Sequence, residues 1–151
     1  MVAVERVDKT SEAFRLLIAG LDAELTGQYG ELQKQYRLHN QTDHLLLAVV
    51  VSVDGQPAAC GAIRDHGGSE VEIKRMYVSP QFRRQGLARR VLEELEQAAR
   101  ELGYSRAVLE TGVRQAAAIA LYQSVGYELT DNYGPYAGNE NSVCMGKQLS
   151  Q

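Results

Sequence analysis

The sequence predicts an α+β (mixed α/β) fold in a single domain over residues 1–151, with a central, mostly antiparallel sheet of six to seven strands flanked by about four helices. Short β-forming runs follow one another across residues 45–78, separated by tight turns, which is typical of antiparallel strands. Apolar residues then recur at helical spacing from Leu87 to Leu102. Arg106–Thr111 is a further strand after that helix, and this order favours a parallel neighbour in the sheet.

The first elements are predicted before residue 45. Val2–Val7 alternates apolar and polar side chains, as a half-buried edge strand does. Ser11 can cap a helix from Glu12 to about residue 25, which carries an apolar stripe. Residues 29–38 are predicted as a second short helix, because their leucine and tyrosine side chains recur at helical spacing.

Three strands are predicted to form an antiparallel meander in the middle of the chain. Leu45–Val53 and Ala58–Arg64 are joined by Asp54-Gly55, the strongest hairpin signal in the sequence. Asp65–Gly68 is predicted as the next turn, and it leads into the strand Glu70–Val78.

The last third of the chain is predicted to hold a helix and two strands. Gln115–Ser124 has helical spacing and is followed by Gly126, which is suited to end the helix. A strand is expected over residues 127–129, and Val143–Leu149 closes the domain. Between them, the loop Asp131–Asn141 is rich in Gly, Asn and Tyr, so it is expected to be mobile and surface-borne.

Composition and charge exclude several classes of protein. The chain is 44% hydrophobic and 23% charged, and its longest apolar run, Leu45–Val51, is only strand-sized, so no membrane span is predicted. Cys60 and Cys144 lack the paired spacing of a metal site, which predicts no metal and favours a cytoplasmic location. A net charge of −3 argues against nucleic acid as the main partner. The oligomeric state is left open, with a homodimer among the options.

The stretch Glu70–Arg90 is the main candidate for a functional site. It combines a strand, Pro80, a tight turn over residues 83–88 and the start of a helix, and it holds six cations with no acidic residue from Lys74 onward. A helix N-terminus presents free backbone N–H groups, and small residues let another group approach them, so the turn suits a di- or polyphosphate. The alternative is a solvated basic surface around an ordinary turn.

Two motifs resemble the GCN5-related N-acetyltransferase (GNAT) family. Arg83-Arg84-Gln85-Gly86-Leu87-Ala88 is similar to the family's motif A, Arg/Gln-x-x-Gly-x-Gly/Ala, which stands after a strand and before a helix. Gln115-x-x-Ala118-x-x-Leu121-Tyr122, followed by Gly126-Tyr127, looks like the family's Asn-x-x-Ala-x-x-x-Tyr and Gly-Phe pair, with Gln115 in place of the commoner Asn. The order of the predicted elements also agrees with the family, so the resemblance implies the GNAT fold and the cofactor acetyl-coenzyme A.

The resemblance also implies how the coenzyme is held. The backbone of the motif A turn would cradle the pyrophosphate, and the arginines would add charge-assisted bonds. The backbone N–H of Met76 would polarise the thioester carbonyl, and that of Val78 would pair with the pantetheine arm. The residues so assigned to the cofactor are Met76, Tyr77, Val78, Arg83, Arg84, Gln85, Gly86, Leu87, Ala88, Arg89, Gln115 and Tyr122.

Acetyl transfer to an amine needs a base and an acid, and each has a candidate. Glu72, on the central strand, would accept the proton of the amine; the alternative is a solvent-facing or Lys74-paired glutamate. Glu110 is the reserve base. Tyr122 matches the family's tyrosine that protonates the departing thiolate; the alternative is a packed tyrosine.

The acceptor is less well defined by the sequence. Tyr29, Tyr36, Arg64, Glu110 and Tyr136 are the candidate acceptor-binding residues, although tyrosines also serve commonly as core or rim packing. A small-molecule primary amine is the favoured acceptor. The alternatives are a protein N-terminus or lysine side chain, and a coenzyme-binding regulatory module without catalysis.

Overall fold

The computed structural model describes residues 1–29 and 44–149. This part of the chain holds seven strands and three α-helices. The strands are β1 (Val2–Val7), β2 (Leu45–Val53), β3 (Gln56–Gly67), β4 (Glu70–Val78), β5 (Arg106–Gly112), β6 (Glu128–Thr130) and β7 (Ser142–Gln148). The helices are α1 (Glu12–Tyr29), α2 (Leu87–Glu101) and α3 (Ala116–Ser124). No helix within these described ranges is long and apolar enough to cross a membrane.

The strands form one mixed sheet in the order β1-β2-β3-β4-β5-β7-β6. The predicted meander β2-β3-β4 is confirmed, and β1 lies at the edge. All neighbouring strands are antiparallel except β4 and β5, which are parallel as the intervening helix α2 predicted.

A gap opens between β4 and β5 near the middle of the sheet. Their pairing begins at Glu70 with Arg106 and ends at Ile73 with Leu109. β4 continues to Val78, so the edge of β4 that faces β5 carries backbone groups without a partner strand beyond Ile73.

β4 also contains a bulge at the point where the gap opens. Arg75 and Met76 together lie opposite the single Gly61 of β3, and Arg75 has a φ of 60°. A methyl group on Gly61 would lie 2.5 Å from the Sδ of Met76 and 2.7 Å from Val91 Cγ1. Glycine is therefore required here for Met76 and α2 to pack onto β3.

The two faces of the sheet are covered by different helices. Phe14 and Leu17 of α1 pack with Ala48, Val50 and Cys60 on one face. The side chain of Ser11 accepts a hydrogen bond from the backbone N–H of Phe14 at 3.2 Å, which confirms the predicted cap of α1.

The opposite face carries α2 and α3. Val91 and Leu95 of α2 belong to the larger core, together with Val49 and Ile73 of the sheet and Tyr122 of α3. Along residues 48–51 of β2, the odd-numbered residues face α2 and α3 and the even-numbered residues face α1, as the pleat of a strand requires.

Two predictions need correction, and one falls largely outside the described residues. β3 runs to Gly67, so the predicted turn Asp65–Gly68 is shortened to the residues that follow the strand. The loop Asp131–Asn141 is not simply surface-borne, because Tyr136 is 2% exposed and packs on the sheet. The predicted helix at residues 29–38 lies outside the described residues, apart from Tyr29 at the end of α1.

Candidate active site

A cleft of about 480 Å³ passes through the gap between β4 and β5. It extends from the N-terminal end of α2 to the face of the sheet that carries α1. Its walls come from α1, β4, β5, the motif A turn, α3 and Tyr136. The charged and polar residues that line it are Glu24, Glu72, Lys74, Arg75, Tyr77, Arg83, Arg84, Glu110, Thr111, Gln115, Tyr122 and Tyr136.

The motif A turn ends at the N-terminus of α2 and has an open, left-handed backbone. Arg84 has a φ of 68° and Gly86 has a φ of 76°, and a side chain at Gly86 would meet no other atom within 4 Å. The first helical hydrogen bond runs from the N–H of Arg90 to the carbonyl of Gly86 at 3.2 Å. The preceding N–H groups of the first turn therefore face outward, where an anion is stabilised.

The side chains of the turn are placed unequally. Arg84 and Ala88 line the cleft, whereas Gln85, Leu87 and Arg89 lie outside its lining. Leu87 is buried in the core, so only its backbone can face a ligand.

Arg83 is held by protein groups. Its Nε donates to the carbonyl of Val78 at 2.9 Å, and its Nη2 donates to the carboxylate of Glu24 at 2.6 Å. The guanidinium also lies 5.8 Å from the ring centre of Tyr77. Arg83 thereby ties the end of β4 to α1, a contact that the sequence did not indicate.

The exposed backbone edge of β4 forms the floor of the cleft. Met76, Tyr77 and Val78 all line it, and Met76 is one of the two bulge residues. Tyr77 packs closely on α1, because a side chain at Gly20 would lie 2.9 Å from the hydroxyl of Tyr77. Glycine at position 20 has a low helix propensity, and this contact explains why a residue without a side chain stands there.

Tyr122 reaches the cleft from α3, and Gln115 reaches it from the position just before α3. Tyr122 is 6% exposed, and its ring makes an edge-to-face contact with Tyr127 at a centroid distance of 5.9 Å. Within residues 1–29 and 44–149, the hydroxyl of Tyr122 has no hydrogen-bond partner. Burial, with the nearby charge of Glu110, raises the pKa of Tyr122 above its ordinary value, so the hydroxyl keeps its proton.

Glu72 is buried on β4 with 3% exposure, so it does not face solvent. The hydroxyl of Tyr133 donates to its Oε2 at 2.7 Å. The Nε of Arg64 lies 3.6 Å from its Oε1, and the Nζ of Lys74 lies 3.9 Å from its Oε2. The pairing with Lys74 that the sequence raised as an alternative is thus present but long.

Glu110 lies across the gap, on β5. The hydroxyl of Ser142 donates to its Oε2 at 2.7 Å. Burial raises the pKa of Glu110 above its usual range, although Ser142 and the charge of Lys74 oppose the shift. Two carboxylates therefore face the same cleft in different environments.

Lys74 is a residue of the site that sequence reasoning missed. Its side chain is 4% exposed, and its Nζ donates to the hydroxyl of Tyr136 at 3.2 Å. Burial lowers the pKa of Lys74, and the charges of Glu72 and Glu110 partly offset this effect. The alternation of β4 places Lys74 on the same face as Glu72, which is the signal that could have identified it.

The loop that follows β6 closes this side of the cleft. Tyr133 and Tyr136 contact each other edge to face at 5.6 Å, and His66 of β3 lies 4.7 Å from the ring centre of Tyr133. Their hydroxyl groups bond to Glu72 and Lys74, as described above. The predicted acceptor residue Tyr136 therefore lies at the cleft.

The other predicted acceptor residues are placed as follows. Arg64, on β3, has a half-exposed side chain that lies beside Glu72 of β4. Glu110 lines the cleft. Nothing is described for the side chain of Tyr29, and Tyr36 lies outside the described residues. No group of three or more His, Cys, Asp or Glu suited to hold a metal ion occurs among residues 1–29 and 44–149.

Comparison with known proteins agrees with the fold. The model of the acetyltransferase (GNAT) family matches residues 13–127. The chain belongs to this family and is an N-acetyltransferase. The family uses acetyl-coenzyme A as its acetyl donor.

Particular relatives cover the whole chain. An IAA acetyltransferase from Azospirillum brasilense is 36% identical over 98% of this chain and 98% of its own length. A crystal structure from Klebsiella pneumoniae, provisionally assigned as an acyl-CoA N-acyltransferase, is 34% identical over 99% of both chains, with a TM-score of 0.82. PaiA N-acetyltransferase from Thermoplasma acidophilum, solved with coenzyme A, shares the fold with a TM-score of 0.75 over 98% of this chain and 99% of its own at 13% identity.

Proposed function

We propose that the protein transfers an acetyl group from acetyl-coenzyme A to the primary amine of a small molecule. The observation that carries this proposal is the cleft through the β4–β5 gap. It joins a helix N-terminus that suits a phosphate to the buried carboxylate of Glu72, the half-buried carboxylate of Glu110, and the tyrosines Tyr122 and Tyr136.

The residues of the cleft fit the coenzyme. The open space at Gly86 and the outward N–H groups at the start of α2 suit its pyrophosphate, with Arg84 beside them. The unpaired edge of β4 at Met76 and Val78 suits an extended arm that adds as a further strand. Arg83 would first have to leave Glu24 to reach a phosphate, so we assign it to holding α1 in place.

When bound, acetyl-coenzyme A supplies a thioester whose acyl carbon is open to attack by an amine. The transfer forms one N–C bond, breaks one C–S bond, takes one proton from nitrogen and delivers one to sulfur. The backbone N–H of Met76, at the bulge, stabilises the charge that develops on the carbonyl oxygen.

The carboxylates are the candidates for the base that removes the proton from the amine nitrogen. An alkylammonium with a pKa near 10.4 is neutral in only about one molecule per thousand near pH 7.4, a deficit of roughly 4 kcal/mol. A carboxylate that takes this proton, directly or through water, offsets much of the deficit. Glu72 is the first candidate, held in place by Tyr133, and Glu110 is the second.

Tyr122 is the candidate for the acid that donates a proton to the departing sulfur. Its buried side chain lines the cleft, and its ring makes an edge-to-face contact with Tyr127. A raised pKa keeps the hydroxyl protonated, which a general acid requires.

A small acceptor is supported by the shape of the site and by a full-length relative. Tyr133 bonds to Glu72 and Tyr136 bonds to Lys74, and the cleft that Glu72, Lys74 and Tyr136 line has a volume of about 480 Å³. The Azospirillum brasilense relative is an IAA acetyltransferase.

The test is release of free thiol from acetyl-coenzyme A across a panel of amines, amino acids, polyamines, aminoglycosides and peptides. We expect turnover with at least one small amine, and none with peptides. A Gly86→Glu variant, which places an anion at the phosphate site, should abolish the release. Turnover confined to peptides would contradict the proposed acceptor, and coenzyme binding without turnover on any amine would contradict the proposed reaction.

A further inference from the structure

Lys74 is a primary amine that the chain itself places in the acetyl-transfer cleft. Among the residues that the structure describes, Lys74 is the lysine that lines this cleft, whereas Lys147 is ion-paired with Glu96 at 2.8 Å and Lys9 is exposed. Lys74 stands two residues before Met76, whose backbone N–H is the proposed donor to the thioester carbonyl. Its side chain thus belongs to the chemical class that the site is proposed to acetylate.

The groups around Lys74 are those assigned to acceptor chemistry. Its Nζ lies 3.9 Å from Glu72 Oε2 and 3.2 Å from the hydroxyl of Tyr136. The charge of Glu110 acts on Lys74 and also on Tyr122, the proposed acid. Base, amine and acid are therefore within electrostatic reach of one another.

The state of the amine also favours reaction. An acetyl group can be transferred only to a neutral amine, and exposed lysines are almost fully protonated at neutral pH. Burial lowers the pKa of Lys74, against the opposing charges of Glu72 and Glu110 and with the like charges of Arg64 and Arg75. Lys74 is therefore neutral more often than an exposed lysine.

We propose that Lys74 is a site of self-acetylation, in which its Nζ takes the acetyl group when no acceptor amine occupies the cleft. This inference rests on the proposed function of the same site. The Nζ–C bond forms and the thioester C–S bond breaks. The proton of Nζ passes to Glu72 or Glu110, and Tyr122 supplies a proton to the departing sulfur.

Acetylation would change the site that carries it. The amide has no charge, so Glu72 and Glu110 lose the positive charge that the protonated form of Lys74 supplies to them. The added group also fills space beside Tyr136, where the acceptor is proposed to bind. The modified enzyme should therefore lose turnover, and an acceptor amine should protect Lys74.

The experiment uses the whole chain and isotope-labelled acetyl-coenzyme A without an acceptor amine. After proteolysis, mass spectrometry measures the label on each lysine over time. We expect Lys74 to be labelled well ahead of Lys9, which reports purely chemical acetylation. Tyr122→Phe should slow labelling of Lys74 by about 10²-fold, in line with loss of a general acid, and leave Lys9 unchanged.

Matched variants separate the possible outcomes. Lys74→Arg keeps the positive charge and should remove the label at this position, whereas Lys147→Arg should leave the labelling of Lys74 unchanged. If the enzyme releases thiol with an acceptor amine but Lys74 stays unlabelled without one, self-acetylation is refuted and the proposed function stands. If Lys74 is labelled equally fast in Tyr122→Phe or in urea-denatured chain, the modification is chemical and the inference fails. Absence of both thiol release and label would overturn both proposals.

Discussion

Tyr122→Phe tests the proposed acid with little change elsewhere in the molecule. The substitution keeps the ring, its burial and its edge-to-face contact with Tyr127, and it removes only the hydroxyl. Because that hydroxyl has no hydrogen-bond partner within the described residues, the substitution removes no hydrogen bond between them. The free energy of unfolding should therefore change by less than about 1 kcal/mol, which is the usual net value of one hydrogen bond.

The rate should fall far more than the stability. Loss of a general acid lowers the rate by about 10²-fold or more, the lower end of the usual range. A 10²-fold decrease corresponds to about 2.7 kcal/mol in the activation free energy. Burial raises the pKa of Tyr122 above its ordinary value near 10, so the hydroxyl is protonated at every lower pH. The ratio of the wild-type rate to the Tyr122→Phe rate should therefore be constant with pH up to about 10.

Three measurements check this prediction. Thiol release gives kcat for both proteins, calorimetry gives the affinity for acetyl-coenzyme A, and urea unfolding gives the stability. We expect a large decrease in kcat, with affinity and stability nearly unchanged. A Tyr122→Phe enzyme with the wild-type kcat would show that Tyr122 is a packing residue only. If the free energy of unfolding falls by as much as the activation free energy rises, the hydroxyl has a structural role.

The cleft and the residues that support it lead to four further predictions. Gly86→Glu should abolish coenzyme binding in calorimetry. Gly55→Glu is the control: Gly55 has a similar φ of 83° and equally open space around it, so this variant should carry the same backbone strain and leave binding intact. Equal affinities of the two variants for the coenzyme would refute the phosphate site. Glu72→Gln should lower the rate and regain it at higher pH, where more acceptor amine is neutral. Glu110→Gln is the matched variant. Whichever of the two variants regains its rate at higher pH has lost the general base. If neither variant regains its rate, neither carboxylate is the base. If Glu110 is the base, the acid limb of the wild-type pH–rate profile should lie above the range of an ordinary glutamate, since burial raises the pKa of Glu110 and the base form is lost as pH falls through it. Gly61→Ala should lower the free energy of unfolding by about 1–3 kcal/mol in urea titration, because the new methyl group would overpack Met76; unchanged stability would show that the bulge relaxes.

Local patterns in the sequence determined most of the fold. The alternation in Val2–Val7, the Asp54-Gly55 turn and the helical spacing after Gly86 depend on neighbouring residues, so they can be recognised without knowledge of distant parts of the chain. The parallel pairing of β4 and β5 also followed, because a helix between two strands returns the chain in the same direction.

The placement of the site depended on contacts between residues far apart in the sequence. Tyr133 and Tyr136 reach Glu72 and Lys74 across about sixty positions, so composition alone suggested a mobile loop where the structure shows a wall of the cleft. Arg83 had the signature of a phosphate ligand, but its bond to Glu24 could be found only once α1 lay on the sheet.

The bulge in β4 shows the same division. The sequence determined that residues 70–78 form a strand, because a β-forming run ends at a proline. It did not show that Arg75 takes a φ of 60° at a bulge where Met76 packs over Gly61, since that packing involves the neighbouring strand. Hydrophobic periodicity determines which segments become strands and helices, whereas tertiary packing decides register, bulges and the meeting of distant polar side chains, because those depend on contacts that no local pattern encodes.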